Sequence, residues 1–282
     1  MFSKFDKIKL RDGNEMPIAG FGLYKVTGDA TTESAVHCAY DMGYRLFDTA
    51  QLYQNEAEVG AALASLNVPR DSIFVTTKVA EENQGYQSAI DSVKESLRKL
   101  QLDYVDLLLV HWPIQSKFFE TWEAFEEIKK MGLTKSIGVS NYDIIHLQYL
   151  ATQAKEMPVV NQVERHPRLS RQPLLEFDQE HGIVTQAWSP LGRGAVLDNP
   201  VVEEIADKYG KSPAQIILRW HLQSDVSFIP KSVHENRIKE NIDIYDFELT
   251  AEDMDAINNI NDYHRTGREP SLVYEYNEQY KR

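Results

Sequence analysis

Only one of the 282 residues is a cysteine, Cys38, so no disulfide can form within the chain and an oxidising compartment is not required. Positive charge is also short: 30 Lys and Arg against 43 Asp and Glu leave a net charge of −13. A surface of that sign repels nucleic-acid phosphates and anionic membranes, which are bound through a surplus of Lys and Arg. Long apolar runs are missing. The longest, near Tyr104–Val110, is far too short to span a bilayer. Residues 1–9 carry neither the apolar stretch nor the small-residue cleavage site of a secretory signal. There is no Pro/Gly/Ser-rich linker, no low-complexity tract and no repeat of sequence. Nor does a Gly-x-Gly-x-x-Gly fingerprint follow any strand-like run, so a Rossmann dinucleotide domain is not supported. These absences predict a single domain over 1–282: a cytoplasmic monomer whose partners are small molecules, not nucleic acid or membrane.

What is present is a regular alternation of two periods. Eight short apolar runs read as strands: Ile18–Phe21, Arg45–Asp48, Ile73–Thr77, Val105–Val110, Ser136–Val139, Val159–Val163, Ile183–Ala187 and Val226–Ile229. They lack strict alternation, as parallel strands buried on both faces do. Helical faces lie between them, for example Tyr86, Ile90, Val93, Leu97 and Leu100, or Val202, Ile205, Ala206 and Tyr209. Asn199-Pro200 and Ser212-Pro213 each place a capping residue before a first-turn proline. Ser212 with Gln215, and Thr250 with Asp253, have capping-box spacing. Gly43 and Gly132 stand where helices should end. Eight strand–helix units in this length favour a closed α/β barrel, a (β/α)₈ fold, over an open sheet. Ahead of them, Asp12-Gly13 between Lys7–Leu10 and Met16–Ala19 predicts a β-hairpin closing the bottom of the barrel.

Active sites of such barrels lie at the C-terminal ends of the strands. There the second strand delivers Asp48, with Tyr53 five residues on, the third Lys78 and the fourth His111. Each has a blander reading by itself: a loop cap, a packing aromatic, a solvated lysine, a core histidine. At the ends of three successive strands they converge. Carbonyl reduction needs a hydride and a proton. Tyrosine is a reluctant acid at neutral pH, and a neighbouring ammonium lowers its pKa. In this reading Tyr53 is the acid, Lys78 tunes it, Asp48 keeps Lys78 charged, and His111 orients the carbonyl oxygen.

Long stretches of the chain resemble the aldo-keto reductase family: Gly-Tyr-Arg-Leu-Phe-Asp-Thr-Ala-Gln-Leu-Tyr-Gln-Asn-Glu at 43–56, Thr-Thr-Lys at 76–78, Asp-Leu-Leu-Leu-Val-His-Trp-Pro at 106–113, Ser-Ile-Gly-Val-Ser-Asn at 136–141 and Ile-Pro-Lys-Ser-Val at 229–233. The resemblance runs from the hairpin to about Asn261. It implies that Asp48, Tyr53, Lys78 and His111 are a catalytic tetrad and that the cofactor is NADPH. Ser140, Asn141 and Gln162 match the partners of the nicotinamide carboxamide, and Trp188 matches the aromatic stacked on its ring. Ser189-Pro-Leu-Gly-Arg-Gly194, with Leu191, Gly192 and Gly194, resembles the loop over the pyrophosphate. Lys231, Ser232, Val233 and Arg237 match the 2′-phosphate site, where His234 and Glu235 depart from the usual pattern. Glu240 and Asn241 match positions that reach the adenine. Within the family the chain is most similar to bacterial 2,5-diketo-D-gluconic acid reductases, through Gly-Phe-Gly-Leu-Tyr-Lys-Val at 20–26 and a compact tail.

Tyr24 and Trp112 are the expected pocket walls. Ala80 stands where many relatives have tryptophan, which predicts one trimmed wall and an open, shallow pocket for small polar carbonyls. Arg265 and Arg268 in the tail are either solvated or steering groups for an acidic substrate. Two other functions remain. Glu164 and His166, with Asp48 and His111, would suit a metal-dependent barrel hydrolase, although no His-x-His ends an early strand, and no metal is expected. A catalytically silent, cofactor-sensing barrel is the second, and it would have no need of all four tetrad groups.

Overall fold

The structure, a computed structural model, describes residues 2–272. Strand β1 (Lys7–Lys9) pairs antiparallel with β2 (Glu15–Pro17), and Gly13 takes the positive φ that the turn between them requires. Eight parallel strands follow: β3 (Gly20–Gly22), β4 (Leu46–Asp48), β5 (Phe74–Val79), β6 (Val105–Val110), β7 (Thr134–Ser140), β8 (Val160–Glu164), β9 (Val184–Trp188) and β10 (Ser227–Phe228). Each pairs with the next in sequence order, and a parallel bridge from Ala19 to Phe228 closes the ring. Helices α1 (Asp29–Met42), α2 (Glu56–Ser65), α3 (Tyr86–Leu100), α4 (Phe118–Lys130), α5 (Ile144–Leu150) and α6 (Gln172–Glu180) connect β3 through β9. Two helices, α7 (Pro200–Tyr209) and α8 (Pro213–Gln223), lie between β9 and β10, and α9 (Glu235–Ile242) and α10 (Ala251–Asn258) follow. This is the predicted barrel.

The strand residues divide by parity. Leu107 and Leu109 face inward with Leu46, Phe74 and Val160, whereas Leu108 and Val110 join the layer beneath the helices. Both faces are apolar, which is why the sequence shows no polar alternation. Leu10 and Met16 of the hairpin pack into the inward cluster and close the N-terminal end, and Asp12 and Asn14 bond to Ser136 at the foot of β7. All eight predicted strands are present, with ends displaced by no more than two residues. β5 continues through Val79 because Thr76, Thr77 and Lys78, polar by composition, are buried and laddered to β6.

The helix signals map onto real caps. Asn199 accepts from the Val201 amide, Ser212 and Thr250 complete capping boxes, and Gly43 ends α1 at φ 111. One helical face is narrower than predicted: Tyr86 is exposed, because it sits in the first turn of α3 and the buried stripe begins at Ala89.

Asp178 of α6 is a buried carboxylate under β8 and β9. Its Oδ2 accepts from Thr185 Oγ1 at 2.9 Å and Asn161 Nδ2 at 3.3 Å, while its Oδ1 has no partner among the described residues. Burial pushes its pKa up to about 7, against those hydrogen bonds. Between about pH 4 and pH 7 the fold therefore holds a proton that the unfolded chain has released, so stability falls as pH rises through that window. Asp178→Asn is expected to flatten this fall. In thermal melts the variant should gain several degrees over the parent above pH 7 and lose that advantage near pH 4; parallel pH curves would contradict the assignment.

Candidate functional site

At the C-terminal mouth of the barrel, Asp48 ends β4, Lys78 is the penultimate residue of β5, and His111 follows β6. Tyr53 sits in a short helical turn, Gln51–Tyr53, after β4. Asn55 fixes that loop by donating to the Leu23 and Val26 carbonyls at 2.9 Å and accepting from Thr49 Oγ1 at 2.7 Å. Gln51 ties it to β5 by accepting from the Ala80 amide at 2.9 Å.

Lys78 is the centre. Its Nζ donates to Asp48 Oδ1 at 2.5 Å, to the Thr49 carbonyl at 2.9 Å and to the Tyr53 hydroxyl oxygen at 3.1 Å. As an ammonium, Lys78 has one N–H for each of these three acceptors. Burial lowers the Lys78 pKa, and Asp48 followed by Glu56 offset only part of that. The ion pair is fully enclosed, which makes each partner dependent on the other. Because Tyr53 accepts from Lys78, its own proton is free to point elsewhere. The Tyr53 and His111 rings meet edge to face, with centroids 5.8 Å apart, and Tyr24 lies 5.0 Å from Tyr53 on another side.

The expected lowering of the Tyr53 pKa is not found. Burial, then the Asp48 charge, hold it well above the ordinary tyrosine value. Enclosure of the side chain is the main reason, and the Asp48 carboxylate, paired with Lys78, adds to it by opposing a second negative charge beside it. Tyr53 is thus protonated at every physiological pH. His111 is neutral, its pKa held well below the usual value by burial, then by Lys78 and Arg268. One of its ring nitrogens, Nδ1, is buried with no partner among the described residues.

A second layer lies directly against this cluster. Gln162 of β8 donates to Asp48 Oδ2 and to Gln186 Oε1, each at 2.7 Å. Asn141, at φ 63, donates to the His111 carbonyl at 2.9 Å and to Ser140 Oγ at 3.1 Å, and accepts from Trp188 Nε1 at 2.8 Å. Ser140 donates to the Gln162 carbonyl at 2.7 Å. After Trp188 the chain turns through Ser189 (φ 45), Gly192 (φ 55), Arg193 (φ 54) and Gly194 (φ 95). Two of these four, Ser189 and Arg193, are not glycine, so the loop carries local backbone strain at the mouth. Leu191 packs inward from it.

The Lys231–Asn241 group stands apart. Lys231, Val233 and Arg237 are exposed around the start of α9, Ser232 and Asn241 are buried, and Glu240 accepts from the Ser212 hydroxyl. No hydrogen bond among the described residues joins this group to the tetrad.

Pocket-wall expectations need correction. Ala80 is buried, at 1% exposure, so it opens no wall. The tail crosses the mouth instead. Glu164 accepts from Thr266 N and Oγ1 at 2.6 Å and from Gly267 N at 3.0 Å, which with His166 hold its carboxyl near about 2 although burial opposes them. Gly267 lies so close that a Cβ would stand 2.4 Å from the Trp188 ring. Arg268 bonds Glu81 Oε1 at 2.6 Å and lies 4.2 Å over the Trp112 ring, and Arg265 pairs with Glu269 at 2.9 Å. Neither arginine is a solvated surface group; both are engaged by carboxylates. Residues 273–282, the rest of the compact tail, lie outside the described residues. With Glu164 committed to the tail and Asp48 to Lys78, two of the four groups that a metal hydrolase would need are already engaged elsewhere.

Sequence reasoning missed Thr49, Gln51, Asn55, Gln186 and the tail clamp. The first three lie in the run Asp48-Thr-Ala-Gln-Leu-Tyr-Gln-Asn-Glu, whose density of polar residues after a strand was the available signal.

A family model described as the aldo/keto reductase family matches residues 19–262. Glyoxal reductase of Bacillus subtilis is 48% identical over 94% of this chain and 96% of its own length. Methylglyoxal reductase DkgA of Salmonella typhimurium is 43% identical over 93% and 96%. A solved structure of a Gox0644 variant in complex with NADPH superposes with a TM-score of 0.91, at 41% identity, over 96% of this chain and 99% of that one.

Proposed function

The chain belongs to the aldo/keto reductase family and is an NADPH-dependent carbonyl reductase, and on that premise we propose that Tyr53 is its proton donor and that its substrates are small, polar aldehydes, ketones and dicarbonyls. The observation that carries the first part is the triple donation by Lys78, which leaves the Tyr53 proton as the one mobile proton beside His111. The described residues suit the cofactor. Lys231 and Arg237 flank the first turn of α9 without an ion-pair partner among the described residues, where free backbone N–H groups also favour anions. A Cβ on Gly194 would meet nothing within 4 Å, so backbone can approach a ligand there. Ser140, Asn141, Gln162 and Trp188 would hold the nicotinamide end, Ser189, Leu191 and Gly192 the pyrophosphate, Lys231, Ser232, Val233 and Arg237 the 2′-phosphate, and Glu240 and Asn241 the adenine.

NADPH supplies a hydride to the carbonyl carbon. Tyr53 gives its proton to the carbonyl oxygen, and the Lys78 ammonium, already at hydrogen-bonding distance, stabilises the tyrosinate left behind. Neutral His111 donates to the same oxygen and orients it. Asp48 holds Lys78 in place.

The substrate class rests on crowding, not openness. Thr266–Arg268 lie against Trp188 and Trp112, and Tyr24 stands beside Tyr53. A narrow mouth gains little from a large apolar ligand, since apolar contact contributes only about 25 cal/mol per Å² buried. Two relatives are named for glyoxal and methylglyoxal. The test compares kcat/KM for methylglyoxal, keto-sugar acids, aromatic aldehydes and steroids. Dicarbonyls should lead; a steroid preference would overturn the class. Since Arg265 and Arg268 are paired, no preference for acidic substrates is expected. In the same reading the protein is one barrel domain, a monomer and cytoplasmic; sedimentation at micromolar concentration checks the oligomeric state.

Arg237→Ala is expected to weaken NADPH binding tenfold or more and to spare NADH. Losing one charge-assisted contact to a phosphate typically costs about 1.5–3 kcal/mol. Fluorescence titration with both cofactors reads this directly, and equal affinity of the parent protein for the two would contradict it.

A further inference from the structure

Beneath the 189–194 loop lies a cation with no counter-charge. Arg165 directly follows β8 and is only 1% exposed. Among the described residues no carboxylate pairs with it. Its neighbour Glu164 projects to the opposite side, as alternation along a strand requires, and is committed to the tail. Arg165 Nε donates to the Ser170 carbonyl at 3.0 Å, Nη1 meets His221 Nδ1 at 2.8 Å, and the guanidinium lies 3.8 Å over the Trp220 ring.

An arginine only donates, so Nδ1 of His221 is the acceptor and its ring proton sits on Nε2. Nε2 then donates to the Pro190 carbonyl at 3.2 Å. Arg165 at the end of β8, His221 in α8 and Pro190 in the loop thus form one directed line. His166 supports the same loop from beside it: a Cβ on Gly192 would stand 3.4 Å from the His166 ring. A buried, unpaired guanidinium is costly, and a packed apolar side chain would stabilise the core better. The arrangement makes sense if an anion arrives above it.

We propose that Arg165 and His221 are positioning residues for the cofactor, holding Pro190 and with it the 189–194 loop in the conformation that meets the pyrophosphate, with Arg165 placing a buried positive charge beneath that anion. This rests on the reading of 189–194 as the pyrophosphate loop. The two act through the loop and touch neither substrate nor the reacting atoms.

Dissociation constants for NADPH and for adenosine 2′-monophosphate, which has no pyrophosphate, are measured by calorimetry for the parent, Arg165→Met, His221→Leu and His221→Gln. Amide exchange of 189–194 is followed in the parent with and without NADPH. NADPH should protect the loop. Arg165→Met and His221→Leu should bind NADPH roughly tenfold more weakly while holding adenosine 2′-monophosphate within about twofold. His221→Gln, whose carboxamide offers one acceptor and one donor in place of the ring nitrogens, should recover most of the loss. If NADPH leaves exchange at 189–194 unchanged, the loop reading fails and the proposal with it. If the loop is protected but both variants bind NADPH as the parent does, or lose both ligands equally, the loop reading stands and the relay is wrong. Should Arg165→Met not fold, the His221→Leu and His221→Gln pair decides in the same way.

Discussion

Tyr53→Phe should remove carbonyl reduction while leaving NADPH affinity within about twofold of the parent value. The hydroxyl is the only part of the side chain with chemistry in this account; the ring packs against Tyr24 and His111, and phenylalanine keeps that packing. A positioned general acid contributes typically about 10²–10⁴-fold, and here no other protonated group stands in its place. His111 is neutral, and the Lys78 ammonium, although it loses the Tyr53 hydroxyl as its third acceptor in the variant, stays held away by Asp48 and the Thr49 carbonyl. The loss should therefore appear in kcat and not in cofactor binding. Near-normal turnover of the variant would mean that another group supplies the proton.

Lys78→Met should fail twice over. It removes the stabilising ammonium from beside Tyr53, and it leaves the Asp48 carboxylate buried with only Gln162 as a side-chain partner among the described residues. Breaking a buried pair by removing one partner typically costs about 3–5 kcal/mol. The denaturation midpoint should drop accordingly, and turnover should fall by on the order of 10²–10⁴. Asp48→Asn placed on top of Lys78→Met should return part of the stability and none of the activity, because it removes the stranded charge without replacing the ammonium. A single variant with an unchanged denaturation curve would show that the pair is not coupled as the geometry indicates.

The barrel was legible because its signals are local and redundant. Leu107 through Val110 are apolar on both faces, Ser212 and Thr250 announce their helices, and Asp12-Gly13 announces the hairpin. The convergence of Asp48, Tyr53, Lys78 and His111 was legible because three strand ends each deliver one ionisable side chain. What could not be read was long-range. The Glu164 clamp joins residues about a hundred positions apart in sequence, and Arg165 meets His221 across β8 and α8. Ala80 looked like a trimmed wall because a small side chain implies space, whereas the fold buries it. The Tyr53 pKa went the other way from expectation because proximity of an ammonium was legible, whereas the burial of the side chain and the Asp48 charge beside it were not.

The central claim, hydride reduction with the proton from a metal-independent tetrad, is tested most directly by isotope transfer. Enzyme treated exhaustively with chelator is incubated with methylglyoxal and NADPH doubly deuterated at the nicotinamide C4, and the product is examined by mass spectrometry. The account expects one deuterium on the former carbonyl carbon and one NADP⁺ formed per product. An unlabelled product, or activity that returns only with added zinc, would contradict it.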